Sequence, residues 1–143
     1  MSVALVRDEL SRIAPGRPCA VTIGVFDGVH RGHQHLVRLA RERAGAEGLA
    51  SVALTFNPHP RAVVRPGTAI SYLASLEERV ELLQALGLDA VGIIPFTSEL
   101  AQLSARDFVT LLVEELKMPL SPPPRYYGAQ LYREKIWNVS KLP

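Results

Sequence analysis

The stretch GVFDGVHRGHQHL, residues 24–36, holds three of the chain's four histidines and three of its ten glycines. Imidazoles this close together, where an apolar run ends, suit the binding of phosphate. A helix N-terminus offers unpaired N–H groups and about half a positive charge. His30 and His33, three apart across the expected start of a helix, can face one point. Gly32 lacks a Cβ, so a phosphate can approach the backbone there. The two imidazoles and the helix amides would then form a cradle of neutral or partly protonated donors. Neither familiar Gly-rich fingerprint is present: there is no GxxxxGK[ST], and GVFDGVH lacks the GxGxxG spacing. The rival reading is zinc held by His30, His33, His59 and Asp27. It comes without clustered cysteines or an HExxH spacing, and no residue is assigned as a metal ligand. His35, two residues from His33, points elsewhere and reads as a surface or hydrogen-bonded core histidine. Asp27 reads either as a cap of the turn or as a group that orients a ligand.

The surrounding elements must place that turn. AVTIGVF, residues 20–26, is an apolar, β-branched run ending in Asp27-Gly28, which predicts a buried strand leading into a turn. From Gly32 on, Leu36, Leu39, Ala40 and Ala44 recur at helical spacing, and Gly48 supplies a stop. SVALTF (51–56) predicts a second strand, and the three prolines of NPHPRAVVRPG argue against a regular element after it. Ser75 and Glu78 match a capping box ahead of RVELLQALG, with Gly87 as its C-terminal cap. DAVGIIPF (89–96) predicts a third strand, and Ser104 and Asp107 open a further helix, RDFVTLLVEELK. Strands alternating with helices indicate an α/β fold with a parallel sheet. Ligands bind such sheets at the carboxyl ends of the strands, where the histidine turn lies.

The last 25 residues break this rhythm. Pro122-Pro123-Pro124 predicts an extended segment, and AQLYREKIW is expected to make at most two helical turns. The chain therefore divides into residues 1–118 and a divergent Pro/Tyr-containing tail, 119–143.

Composition excludes several function classes. With 143 residues, 48% hydrophobic and 21% charged, the chain has one ordinary domain's worth of sequence. A formal charge of +2 with scattered arginines argues against nucleic acid. No apolar run approaches the roughly 20 residues of a membrane span, and SVALVRDELSR after Met1 carries no export signal. The single Cys19 fits a reducing compartment, and cytoplasm is the expected location.

TIGVFDGVHRGHQHLV, LTFNPHPRAVVRPG and YLASLEERVELLQALGLDAVGIIPFTSELAQLSARDFV, in this order, resemble the N-terminal adenylyltransferase module of bacterial FAD synthetases, the bifunctional riboflavin kinase/FMN adenylyltransferases, over about residues 18–118. His30-Arg31-Gly32-His33 matches the HxGH motif of the wider nucleotidyltransferase superfamily. The resemblance implies a Rossmann-like nucleotidyltransferase fold, incomplete in its C-terminal half. It also implies transfer of AMP from ATP to FMN, with Mg2+, releasing pyrophosphate and making FAD. His30 and His33 would hold the ATP phosphates, and Gly24, Phe26, Asp27 and Gly32 would line the nucleotide pocket. Asn57, Pro58, His59, Pro60 and Arg61 would form the flavin-side loop, where the family often has aspartate in place of Asn57. Other small nucleotidyltransferases, acting on cytidylyl or pantetheine-phosphate substrates, lack the PHP loop.

After Met118 the family's next motifs, a glycine-asparagine or glycine-aspartate pair and a Ser-Ser-Thr run ending in arginine, are not found in this sequence, nor is a riboflavin kinase domain. The expectation is a truncated or frame-altered chain. Its first strand would lie at an open sheet edge, inviting self-association. Besides the adenylyltransferase, the alternative is an inactive remnant that binds nucleotide phosphate or flavin weakly.

Overall fold

A computed structural model of the chain describes residues 2–117 together with 126–127, 130–132 and 135–136. The alternation expected from the sequence is present. Strands β1 (Cys19–Ile23), β2 (Ala50–Asn57) and β3 (Ala90–Pro95) are parallel, and β4 (Tyr126–Tyr127) joins them in the order β3-β2-β1-β4. Helix α2 (Arg31–Glu47) links β1 to β2, and α3 (Pro60–Val64) and α4 (Leu76–Ala85) lie between β2 and β3. A second group comprises α1 (Ser2–Ile13), α5 (Ser98–Gln102) and α6 (Ala105–Leu116). The chain winds outward from β1 to β3 and returns to β1's other side at β4. The crevice at the carboxyl end of β1 is thus a topological switch point.

Alternation along the strands explains the two layers of helices. Cys19, Val21 and Ile23 of β1, and Ala50, Val52, Leu54 and Phe56 of β2, enter the larger core with Val6, Leu10, Phe108 and Leu112. The opposite face carries Ala20, Thr22, Ser51, Ala53 and Thr55, all buried. These small side chains let α2 and α4 lie close, and Phe26, Val29, Val37, Ala53 and Leu83 form a second core there.

Several elements end as the sequence predicts. Ser75 and Glu78 form a reciprocal capping box at α4, Ser104 caps α6, and Gly48 closes α2 at φ 69°. Gly87 follows α4 at φ 85°. Helix α1 carries no such signal and was not anticipated. It packs across β3, where a Cβ on Gly92 would lie 2.5 Å from Ile13 Cδ1. Its Glu9 carboxylate accepts the Ile93 N–H at 2.9 Å, satisfying a donor on the sheet's outer strand. Arg12 holds that carboxyl below its usual range, outweighing its partial burial. Cys19 is buried, its thiol donating to Leu116 O at 3.1 Å, and burial pushes its pKa up to about 12.

Three expectations are corrected. The prolines of NPHPRAVVRPG do not exclude a helix: Pro60 begins α3, where its missing N–H costs nothing. The first strand is not at an open edge over Val21 and Thr22, which pair with Tyr126 and Tyr127. The reason offered for self-association is removed at those positions. AQLYREKIW supplies β5 (Gln130–Tyr132) and β6 (Lys135–Ile136), an antiparallel pair, instead of helical turns. So short a helix is marginal, and Leu, Tyr and Ile suit strands. The extended segment expected at Pro122–Pro124 lies outside the described residues, as does the rest of the tail.

Candidate active site

The backbone leaves β1 through an unusual turn. Gly24 N–H still donates to Leu54 O at 3.0 Å, but Phe26 and Val29 both adopt positive φ, 54° and 44°, around a short 3-10 turn at Asp27–Val29. A β-branched residue at positive φ is a genuine outlier, and such strain persists only where surrounding contacts impose it. Those contacts are present. Val29 N–H donates to Phe26 O at 3.0 Å, Gln34 Nε2 donates to Val29 O at 3.0 Å, and the Phe26 ring is buried. The Val25 carbonyl accepts from both Thr55 Oγ1 and an Arg79 guanidinium nitrogen, each at 2.8 Å.

His30 is exposed and caps α2: its Nδ1 accepts from Gly32 N–H at 3.1 Å and His33 N–H at 3.4 Å. The rings of His30 and His33 stack with centroids 3.6 Å apart, and His33 meets the edge of Phe26 at 5.3 Å. His33 Nδ1 is buried without a hydrogen-bond partner. Burial, reinforced by His30 and opposed by Asp27, lowers the His33 pKa to about 4, so this imidazole is neutral at pH 7. With both Nδ1 atoms turned inward, Nε2 is the nitrogen each ring has for a ligand.

The glycine's role differs from the expected one. A Cβ on Gly32 would lie 3.1 Å from the His30 ring, so the vacant space is filled by the capping imidazole and not kept for a phosphate. Two of the first-turn amides, those of Gly32 and His33, are likewise taken up by His30. Gly24 is needed for the Phe26 ring, 3.2 Å from where its Cβ would be. Phe26 itself is 1% exposed and backs His33 instead of lining an open pocket.

Asp27 reaches far along the chain. Its carboxylate accepts from Leu73 N–H at 2.9 and 3.0 Å and from Ala74 N–H at 3.2 Å, tying the loop before α4 to the histidine turn. Gly28, at φ 72°, leaves room for Leu73, whose Cβ would lie 3.1 Å from an added one.

The loop from Asn57 to Arg61 repeats the capping device. His59 Nδ1 accepts from Arg61 N–H at 3.1 Å at the start of α3, and its own N–H donates to Tyr72 Oη at 3.1 Å. Burial lowers the His59 pKa, assisted by Arg61 and Arg79 and opposed by Asp27. Pro60 is buried, whereas Asn57, Pro58 and Arg61 are exposed. The carboxyl ends of β1 and β2 thus bring together the residues of both predicted motifs. His35 is exposed, the first of the two alternatives its position left open.

Thr55, Tyr72 and Arg79 were missed. Only Arg79 had a signal: it occupies the inward position of α4, four residues before Leu83, where the helical period calls for an apolar side chain. Among the described residues no three His, Cys, Asp or Glu side chains group to hold a metal, and no helix is long and apolar enough to cross a membrane.

The family model described as FAD synthetase matches residues 13–120. The bifunctional riboflavin kinase/FMN adenylyltransferase of Pseudomonas fluorescens is 43% identical over 101 residues, covering 70% of this chain and 32% of the relative. The same enzyme of Listeria monocytogenes is 39% identical over 90 residues, covering 62% and 29%. That of Escherichia coli is 35% identical over 106 residues, covering 73% and 34%. The chain therefore spans about a third of the length of the curated relatives it matches. Among solved structures, a macrolide-efflux protein from Streptococcus pneumoniae superposes with a TM-score of 0.68 at 28% identity, covering 77% of this chain and 38% of that one. With the HxGH turn and the PHP loop at neighbouring strand ends of a parallel sheet, and a family model matching most of its length, the chain belongs to the FAD synthetase family.

Proposed function

We propose that the chain is an FMN adenylyltransferase, joining AMP from ATP to FMN. An oxygen of the FMN phosphate attacks the α-phosphorus of ATP, the bond from that phosphorus to the bridging oxygen breaks, and pyrophosphate leaves with FAD as the product. The substrate supplies the nucleophile, so the protein's work is placement and stabilisation of phosphate charge.

The observation that carries this reading is the His30 cap. Its Nδ1 accepts amide protons from the first turn of a 17-residue helix, which leaves the proton of the neutral ring on Nε2. The helix's positive end thus acts through the imidazole: accepting at one nitrogen strengthens donation at the other. His33 is stacked on it and kept neutral, so the pair turns its Nε2 atoms to a ligand without placing two positive charges side by side. On this reading His30 and His33 hold the ATP phosphates, and the loop from Asn57 to Arg61 borders the flavin.

Asp27 accepts the backbone amides of Leu73 and Ala74, so on this reading its part is to hold the turn. Magnesium accordingly enters as the ion carried on the ATP phosphates, where it offsets their charge. In this reading the reaction takes place in the cytoplasm.

The test is direct. The purified chain, incubated with FMN, ATP and magnesium, is expected to form FAD detectable by chromatography, with His30→Ala and His33→Ala as controls. A folded chain that yields no FAD, or variants as active as the parent, would remove the reading and leave a phosphate- or flavin-binding domain.

A further inference from the structure

Arg79 is a cation in a core position. It is 1% exposed, one of its guanidinium nitrogens holds the Val25 carbonyl, and its Nε has no hydrogen-bond partner. Among the described residues it forms no ion pair. Asp27, the carboxylate whose charge acts on it, and Glu78, which lines the same cavity, are already engaged with backbone amides. Asp27 accepts from Leu73 and Ala74, and Glu78 accepts from Ser75 N–H at 2.9 Å. Burial lowers the Arg79 pKa, and Asp27 and Tyr72 oppose that only in part. A charge buried without a counter-ion is costly, and an arriving anion offsets that cost.

There is room for such an anion. A cavity of about 210 Å³ is lined by Asn57, Tyr72, Ala74, Ser75, Glu78 and Arg79, at the carboxyl end of β2 beside the His59 loop. The Tyr72 hydroxyl accepts the His59 N–H and keeps its own proton to donate. We propose that this cavity is a phosphate-binding subsite, with Arg79 as its cation and Tyr72 as a neutral donor beside it. It rests on the adenylyl-transfer reading and deepens it: the phosphate belongs either to FMN or to ATP, since both substrates carry phosphate esters.

FMN and riboflavin differ by one phosphate, as ATP and adenosine do by three, so each pair isolates the phosphate's contribution. Flavin fluorescence for the first pair and titration calorimetry for the second measure binding to the 143-residue chain. The parent is expected to prefer the phosphorylated member of at least one pair by about tenfold or more. Arg79→Gln should abolish the preference for FMN over riboflavin, or cut that for ATP over adenosine to the part His30 and His33 supply, Arg79→Lys should retain more of it, and binding of the unphosphorylated partner should be unchanged in both. The pair that responds identifies the source of the phosphate. Inorganic phosphate should weaken binding of the phosphorylated member in the parent and leave its partner unaffected. A preference undiminished in Arg79→Gln, or no preference in the parent, overturns the subsite. Should Arg79→Gln not fold, the phosphate competition repeated in the His30→Ala/His33→Ala double variant, which lacks the other phosphate donors, decides, and its absence is equally fatal. Formation of FAD without an Arg79-dependent preference keeps adenylyl transfer and removes the subsite, and the preference without FAD does the reverse.

Discussion

Two strand ends of this molecule are built on one plan and put to different use. After β1 and again after β2, a histidine caps a helix by accepting an amide of the first turn on Nδ1. At β1 the helix has 17 residues, and the capping ring is exposed and stacked on a second imidazole. At β2 the helix has five residues, and the cap is half-buried, its own N–H held by Tyr72. A long helix brings a full macrodipole to the ring it meets, whereas a single turn brings little. The same cap therefore presents a donor at one strand end and braces a loop at the other.

The largest effect expected from this difference is on catalysis. His30→Ala or His33→Ala should lower FAD formation by about 10²- to 10³-fold, the usual cost of removing a donor from developing charge. His59→Ala should lower it by less than about tenfold and cost about 1 kcal/mol of stability, through its lost cap. Equal losses of activity at the three positions would erase the distinction.

Next in size is a pH effect on folding. The His33 pKa falls from about 6.5 in the unfolded chain to about 4 in the folded one. Between these values the unfolded chain binds more protons, so acid favours unfolding. Stability should be level above pH 6.5 and decline toward pH 4. His59 adds to the decline in the same direction. Urea denaturation of the parent and of His33→Gln at a series of pH values would show it. A slope of the same steepness in the variant assigns the acid sensitivity elsewhere.

The smallest effects should separate the two caps. Gly32→Ala places a Cβ against the capping His30 ring and should cost about 1 kcal/mol, with a loss of activity beyond the loss of fold. Tyr72→Phe removes the acceptor for His59 N–H and should cost about 1 kcal/mol, without disturbing the His30 cap. Thermal melts paired with kcat and KM for ATP would distinguish them. An unchanged KM for ATP in Gly32→Ala would mean that the His30 ring does not depend on its glycine.

The amino-acid sequence by itself determined what acts within a helical turn or along a strand. The Ser75–Glu78 capping box, the Ser104 cap and the stop at Gly48 were legible because both partners lie within a few residues of one another. The α/β alternation and the placing of both histidine motifs at strand ends followed from hydrophobic periodicity. Helix α1 was missed because it has none of these local signals and is ordered by packing over Gly92. Only the tertiary structure decided which groups meet across the chain. Asp27 was read as a cap or a ligand-orienting group, yet its partners are the amides of Leu73 and Ala74, more than forty residues away. Arg79 became a buried cation because α4 lies over the end of β1, and Val21 gained a neighbour because the chain returns beside it at Tyr126. Such pairings depend on how strands are ordered in the sheet, a property no local spacing encodes.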